Sequence, residues 1–235
     1  MTPGGTTVLV PVDVSDELSV GPSVAAALDA SAVVVLGYYP VPEQAAPAQI
    51  RSENETAADS RLSAFAEHFD DPTTVLVFTG DRDETVARVA REHDCDVVLT
   101  PGTAGVERVE RVLVALRGQT NLDRIVSVVG ELFRETEAGI TLFHAATDDS
   151  DLGEFVLRGA ADRLTEAGVD RDRADWRLAS ADDPVTEIAE IAGGYDLVVL
   201  GESEPSLRQR IFGTVPEDVT ERIDRPALVV RNVET

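Results

Sequence analysis

Short apolar runs alternate with amphipathic stretches along this chain, and most of the runs are built from Val and Leu. Ala32-Val33-Val34-Val35-Leu36 is apolar at every position, which suits a strand covered on both faces in a parallel sheet flanked by helices. In the first half the pattern predicts strands near 7–12, 32–39, 74–79 and 96–100, with helices near 18–30, 52–69 and 84–93. Asp83 is placed to cap the last of these helices, with Val86, Val89 and Ala90 on its buried face. The three prolines from Pro40 to Pro47 predict a loop or an irregular entry to the second helix. In the second half strands are predicted near 110–116, 139–144, 174–179, 196–200 and 227–231. Helices are predicted there near 121–135, 151–167 and 184–193, with a last one over about 215–223.

This pattern is written twice. Val8-Leu9-Val10-Pro11-Val12-Asp13 returns as Val112-Leu113-Val114-Ala115-Leu116-Arg117, and Asp96-Val97-Val98-Leu99 returns as Asp196-Leu197-Val198-Val199-Leu200. The copies lie about a hundred residues apart, too long for a solenoid unit and right for a small domain. Residues 1–105 and 106–235 are the expected domains. Between Leu99 and Val112 there is no room for a final helix and a fifth strand, so the first copy is truncated. The duplication predicts that the two halves pack face to face as a pseudo-dimer.

Charge narrows the classes of partner. All 20 basic residues are arginine, which excludes a Schiff-base or phosphate-loop lysine. Net charge is −24 and divides evenly, with 17 acids and 5 arginines in residues 1–105 and 27 and 15 in the rest. The acidity therefore belongs to folded surfaces and not to a tail. Nucleic-acid backbones and anionic membrane surfaces, which need a basic face, are disfavoured as partners. So acidic a surface suits a salt-rich, halophilic cytoplasm, where screening weakens self-repulsion. Cys95 is the lone cysteine, which rules out an internal disulfide and favours an intracellular setting. Met1-Thr2-Pro3-Gly4-Gly5 has no basic region of the kind a signal peptide carries, and no apolar run approaches bilayer length, so no membrane insertion is expected.

Candidate chemistry is sparse. His68 and His93 have no second ligand at a metal-like spacing, and His144 ends an apolar strand as a packed histidine would. Cys95 stands between Asp94 and Asp96, surroundings that raise a thiol pKa and make it inert. Trp176 reads as a sheet anchor, and Arg117, Arg208 and Arg210 as partners of surface carboxylates or clamps for an anion. There is no Gly-x-Ser-x-Gly elbow.

A strand ending in Asp13, a strand ending Leu142-Phe143-His144, then Asp196-Leu197-Val198-Val199-Leu200-Gly201, Gly213-Thr214 and Pro226-Ala227-Leu228-Val229-Val230-Arg231 together resemble the universal stress protein domain. The match is best from Asp196 to Arg231 and weaker in the first half. The resemblance implies two tandem α/β domains, each an open parallel sheet of order 3-2-1-4-5, with ligand near the carboxyl ends of strands 1 and 4. Members that bind ATP use an Asp after the first strand and a Gly-x-x-Gly loop closed by Gly-Ser or Gly-Thr, whose glycines let backbone amides approach phosphate. Carried onto this chain, the nucleotide-binding positions are Asp13, Gly102 and Gly105 in the first half and Arg117, Gly201, Gly213, Thr214 and Val215 in the second.

Neither copy has the whole set. In the second half Glu204 replaces the second glycine, where a carboxylate would face phosphate, and Arg117 replaces the Asp. In the first half nothing after Gly105 supplies the closing glycine. A composite site across the halves stays open. Asp13 also suits a turn cap at the end of its strand, and the glycines suit tight turns. The expectation is a non-enzymatic stress or regulatory protein that acts through an unknown protein partner, with degenerate binding of ATP or AMP and magnesium. The resemblance leaves two alternatives: a nucleotide sensor with slow ATPase activity, or a cytoplasmic regulator of an amino-acid transporter. It also implies a homodimer through residues 226–231, because fifth strands of this family pair across a dimer.

Overall fold

The computed structural model describes residues 5–16, 24, 28, 31–102, 106–116, 121–146, 150–202, 219–220 and 222–232. Its strands are β1 (Thr7–Asp13), β2 (Ala32–Pro40), β3 (Thr73–Thr79), β4 (Val97–Thr100), β5 (Arg111–Ala115), β6 (Gly139–Ala146), β7 (Ala174–Ser180), β8 (Leu197–Gly201) and β9 (Ala227–Val230). Its helices are α1 (Pro47–Ala66), α2 (Arg82–Glu92), α3 (Leu122–Phe133), α4 (Ser150–Glu166) and α5 (Pro184–Ala192). The helix predicted over 18–30 falls almost wholly outside the described residues, although buried Val24 is helical. Of the helix predicted over 215–223, only 219 and 220 are described as helical.

All nine strands form one sheet in the order β3-β2-β1-β4-β9-β8-β5-β6-β7. Each half repeats the same layout, with its first two βαβ units wound outward from β1 or β5. The halves meet edge to edge and not face to face as the duplication suggested. The join is β9, which runs parallel to β8 and antiparallel to β4, with Val97 opposite Val230 and Thr100 opposite Ala227. The second half's fifth strand thus fills the place left empty by the first half's missing one. The edge expected to pair with a second copy at 226–231 is therefore already taken by β4, because a strand has only two sides for hydrogen bonding.

Both faces of the sheet are apolar. Val8, Val10, Val97, Val112, Val114 and Leu228 look toward the layer that holds α1, α3 and α4, while Leu9, Val34 and Val98 pack on α2 and Leu113, Val198 and Ala227 pack on α5. The repeat extends to polar detail. Asp96 accepts the Thr7 amide at 2.8 Å ahead of β4, and Asp196 accepts the Arg111 amide at 2.9 Å ahead of β8. Asp81 accepts the Glu84 amide at the start of α2, and Asp183 accepts those of Val185 and Thr186 at the start of α5. The cap of α2 is thus Asp81 and not Asp83, which lies in the first turn beside the positive end of the helix dipole. Val86, Val89 and Ala90 are buried as the periodicity requires.

Side chains of the second half reach across the join. The Thr6 amide and hydroxyl donate to the two carboxylate oxygens of Glu131 on α3, at 2.8 and 2.7 Å. Arg124 on the same helix pairs with Asp96 at 2.6 Å. Arg231, just past β9, donates to the carbonyls of Ala90 and Cys95.

Candidate functional site

In open parallel sheets a ligand sits at the carboxyl ends of the strands, so the two such ends are the places to look. Because β9 runs against β4, these ends lie on opposite rims of the sheet. The carboxyl end of β9, at Val230, stands beside the amino end of β4 at Val97. A composite site drawn from the carboxyl ends of both halves is ruled out by that opposition.

At the first-half rim β1 ends on Asp13, whose Oδ1 accepts the Ser15 amide at 2.8 Å and the Ser15 hydroxyl at 2.6 Å. This is an Asx-type turn, in which the carboxylate holds its own backbone. Arg61 from α1 donates to the carbonyls of Val14 and Ser15 and fixes the same turn. Tyr38 lies opposite Asp13 on β2, with the Arg82 guanidinium 5.6 Å from its ring centre. Burial pushes the Tyr38 phenol up; Arg82 opposes this, while Asp13 and Asp83 add to it.

Gly102 follows β4 on this rim. A Cβ there would lie 2.3 Å from the Arg225 carbonyl carbon and 2.4 Å from the Asp224 oxygen. The space a side chain would need is filled by the backbone that leads into β9. Gly105, the other first-half glycine, lies outside the described residues.

At the second-half rim β8 ends on Gly201, where a Cβ would lie 2.6 Å from the Ile125 Cδ1 of α3. Glu202 follows, with one carboxylate oxygen accepting the Asn232 amide at 2.7 Å. Burial raises the Glu202 pKa, against that hydrogen bond and the charges of Arg231 and Arg124. His144 donates from Nδ1 to the Leu116 carbonyl at 2.8 Å and so ties the end of β6 to the end of β5. Arg117, Glu204, Arg208, Arg210, Gly213, Thr214 and Val215 lie outside the described residues.

The remaining candidates are structural. His68 bonds the Phe65 carbonyl, and His93 ends α2. No group of His, Cys, Asp and Glu among the described residues could hold a metal ion. No helix among them is long and apolar enough to cross a membrane. The Cys95 thiol is pushed up to about 11, chiefly by burial; Arg231 opposes this, and the flanking carboxylates contribute less than burial. Sequence reasoning missed Glu131 and Arg124, which carry no motif.

No protein-family model matches the chain, and no curated protein does. Among solved structures, a universal stress protein from Archaeoglobus fulgidus is similar over 98% of both chains at 14% identity, with a TM-score of 0.64. The chain has the universal stress protein fold. A functionally unknown protein from Pseudomonas aeruginosa shares it over 95% of this chain and 92% of that one, at 12% identity and a TM-score of 0.54. A universal stress protein solved in complex with cAMP aligns with 53% of this chain and 98% of its own, at 25% identity and a TM-score of 0.46. Gly102, one of the positions singled out in the sequence, is packed under the chain entering β9.

Proposed function

We propose that this protein is a stress-type regulatory protein of the universal stress protein family that acts by associating with other proteins, without nucleotide turnover. The observation that carries the reading is the packing of Gly102. A glycine placed where phosphate would approach is instead held against the backbone of Asp224 and Arg225, so its lack of a side chain serves the join between the halves. Two further features agree with it. Asp13, at the position expected near an adenine, has its carboxylate bound within its own turn. Gly201 packs on Ile125, and the loop beyond it carries Glu204 where a glycine would admit phosphate.

Calorimetric titration of Mg-ATP, then AMP, into the protein in molar KCl tests the reading. The expected result is no heat and no thermal shift at millimolar nucleotide. Micromolar binding that disappears in Gly213→Glu would overturn it in favour of a nucleotide sensor working through the second-half loop.

A further inference from the structure

Among the described residues the sheet has two outer strands, β3 and β7, at equivalent positions of the two halves. Their registers fix which backbone groups face outward. The Val41 amide donates to the Thr79 carbonyl, so Thr73, Val75, Val77 and Thr79 turn their N–H and C=O groups toward β2. Thr74, Leu76 and Phe78 therefore turn theirs outward. The matching positions of β7 are Trp176, Leu178 and Ser180.

The two edges are finished differently. On β7 the Trp176 amide is taken by the Asp175 carboxylate at 2.8 Å, and Asp175 and Arg177 put opposite charges on the strand. These are the devices by which natural sheets blunt an edge. β3 reads Thr-Thr-Val-Leu-Val-Phe-Thr, seven residues without a charge, and all seven are exposed or half-buried. Pro72 bounds the strand on one side. The apolar side chains are supported from both faces. Leu76 and Phe78 lean on the layer that holds α1, where Tyr39 stacks on Phe78 at 5.0 Å, and Val75 and Val77 lean on the α2 layer.

Charge decides what such an edge would take. Exposed Glu67, Asp70 and Asp71 precede the strand, and exposed Asp81, Asp83 and Glu84 follow it. The neighbouring arginines are engaged: Arg51 pairs with Glu55 at 2.9 Å, Arg61 holds the turn after β1, and Arg82 lies over Tyr38. A second copy paired about Leu76 would set Asp71 against Asp81 at both ends, and the chain as a whole carries −24. Like charges in opposed positions disfavour that pairing.

We propose that the outer edge of β3 accepts an extended segment of a partner protein, apolar in its middle and flanked by basic residues, as a tenth strand of the sheet. Main-chain bonds to Thr74, Leu76 and Phe78 supply affinity, and the acidic residues at each end select the basic flanks. The proposal rests on the association reading above and gives that partner its chemistry.

The test uses the full chain and a labelled synthetic peptide of alternating Thr and Val with two arginines at each end. Anisotropy should show saturable binding, with slowed amide exchange at Thr74, Leu76 and Phe78. Thr74→Pro keeps the bonds to β2, since its lost amide points outward, and Thr74→Arg leaves the fold intact and repels the peptide. Each variant should weaken binding about tenfold or more. Absence of binding by the wild type, or undiminished binding by both variants, would overturn the proposal. So would equal binding of a peptide with the same charge and alternating prolines, because it cannot pair as a strand. Capture of the same extract proteins by wild type and Thr74→Pro would overturn the edge while leaving the association reading standing. If neither captures any, that reading falls, and the peptide titration still decides the edge.

Discussion

Asp96 and Asp196 occupy the same place in their halves, yet they answer to different surroundings. Asp196 closes its own half, accepting the Glu110 and Arg111 amides at 3.0 and 2.9 Å with a distant contact to Arg111 at 3.9 Å. Asp96 keeps one of those bonds, to Thr7, and has turned its other oxygen to Arg124 of the opposite half. The glycines at the ends of the two strands diverge likewise, Gly102 lying two residues past β4 and Gly201 closing β8. Gly102 meets backbone from across the join, and Gly201 meets a side chain of its own half. The two halves share one layout, and the first has turned positions at its edge toward holding the second.

Substitutions at comparable places in the two halves test this contrast. Gly102→Ala should be the most damaging, because the new methyl overlaps backbone that cannot yield. We expect a loss of about 2–3 kcal/mol, against about 1 for Gly201→Ala, where Ile125 can change rotamer. Chemical denaturation of the two variants checks the difference; equal losses would show that the join is no tighter than the interior of a half. Next, Asp96→Ala should cost about 2 kcal/mol and Asp196→Ala about 1, the excess coming from the partly buried charge left on Arg124. Restoring balance with a second change, Arg124→Met, should recover part of the loss only in the Asp96 background.

The smallest effect concerns Glu202. Its folded pKa lies above the unfolded value, so the stability it contributes is fully present below the unfolded pKa and declines as pH rises through the folded one. Glu202→Gln, whose amide oxygen still accepts the Asn232 N–H, should raise Tm slightly at neutral pH and leave it unchanged in acid. A melt series across pH decides this; a lowered Tm at neutral pH would mean that the attraction of Arg231 and Arg124 outweighs burial.

Much of this architecture was legible in the residues. The strands lie within two residues of their expected bounds at each end, because unbroken Val and Leu runs have few alternatives to a covered parallel sheet. Helix α1 begins at Pro47, five residues ahead of expectation. The polar stretch Arg51-Ser52-Glu53-Asn54-Glu55 hides its apolar face, and Pro47 looks like a breaker although the first turn of a helix tolerates it. The join was not legible. A four-residue strand of Ala, Leu and Val carries nothing that names its second neighbour, and β4 lies about 130 residues earlier, so a partner copy and the chain itself were equally good readings. At the candidate site, the departures at Arg117 and Glu204 were visible, whereas the role of Gly102 depended on backbone brought in from the other half.

The shared strand also orders events in time. β4 is complete early in synthesis, yet its neighbour β9 is made about 130 residues later. Until β9 arrives, the first half carries a raw edge of Val97, Val98 and Leu99 in the middle of what will become the sheet. So distant a closure is slow to search for, and a chain severed between the halves could complete it only by bimolecular association. The first half on its own therefore exposes an apolar strand edge of the kind that invites wrong pairing until β9 covers it.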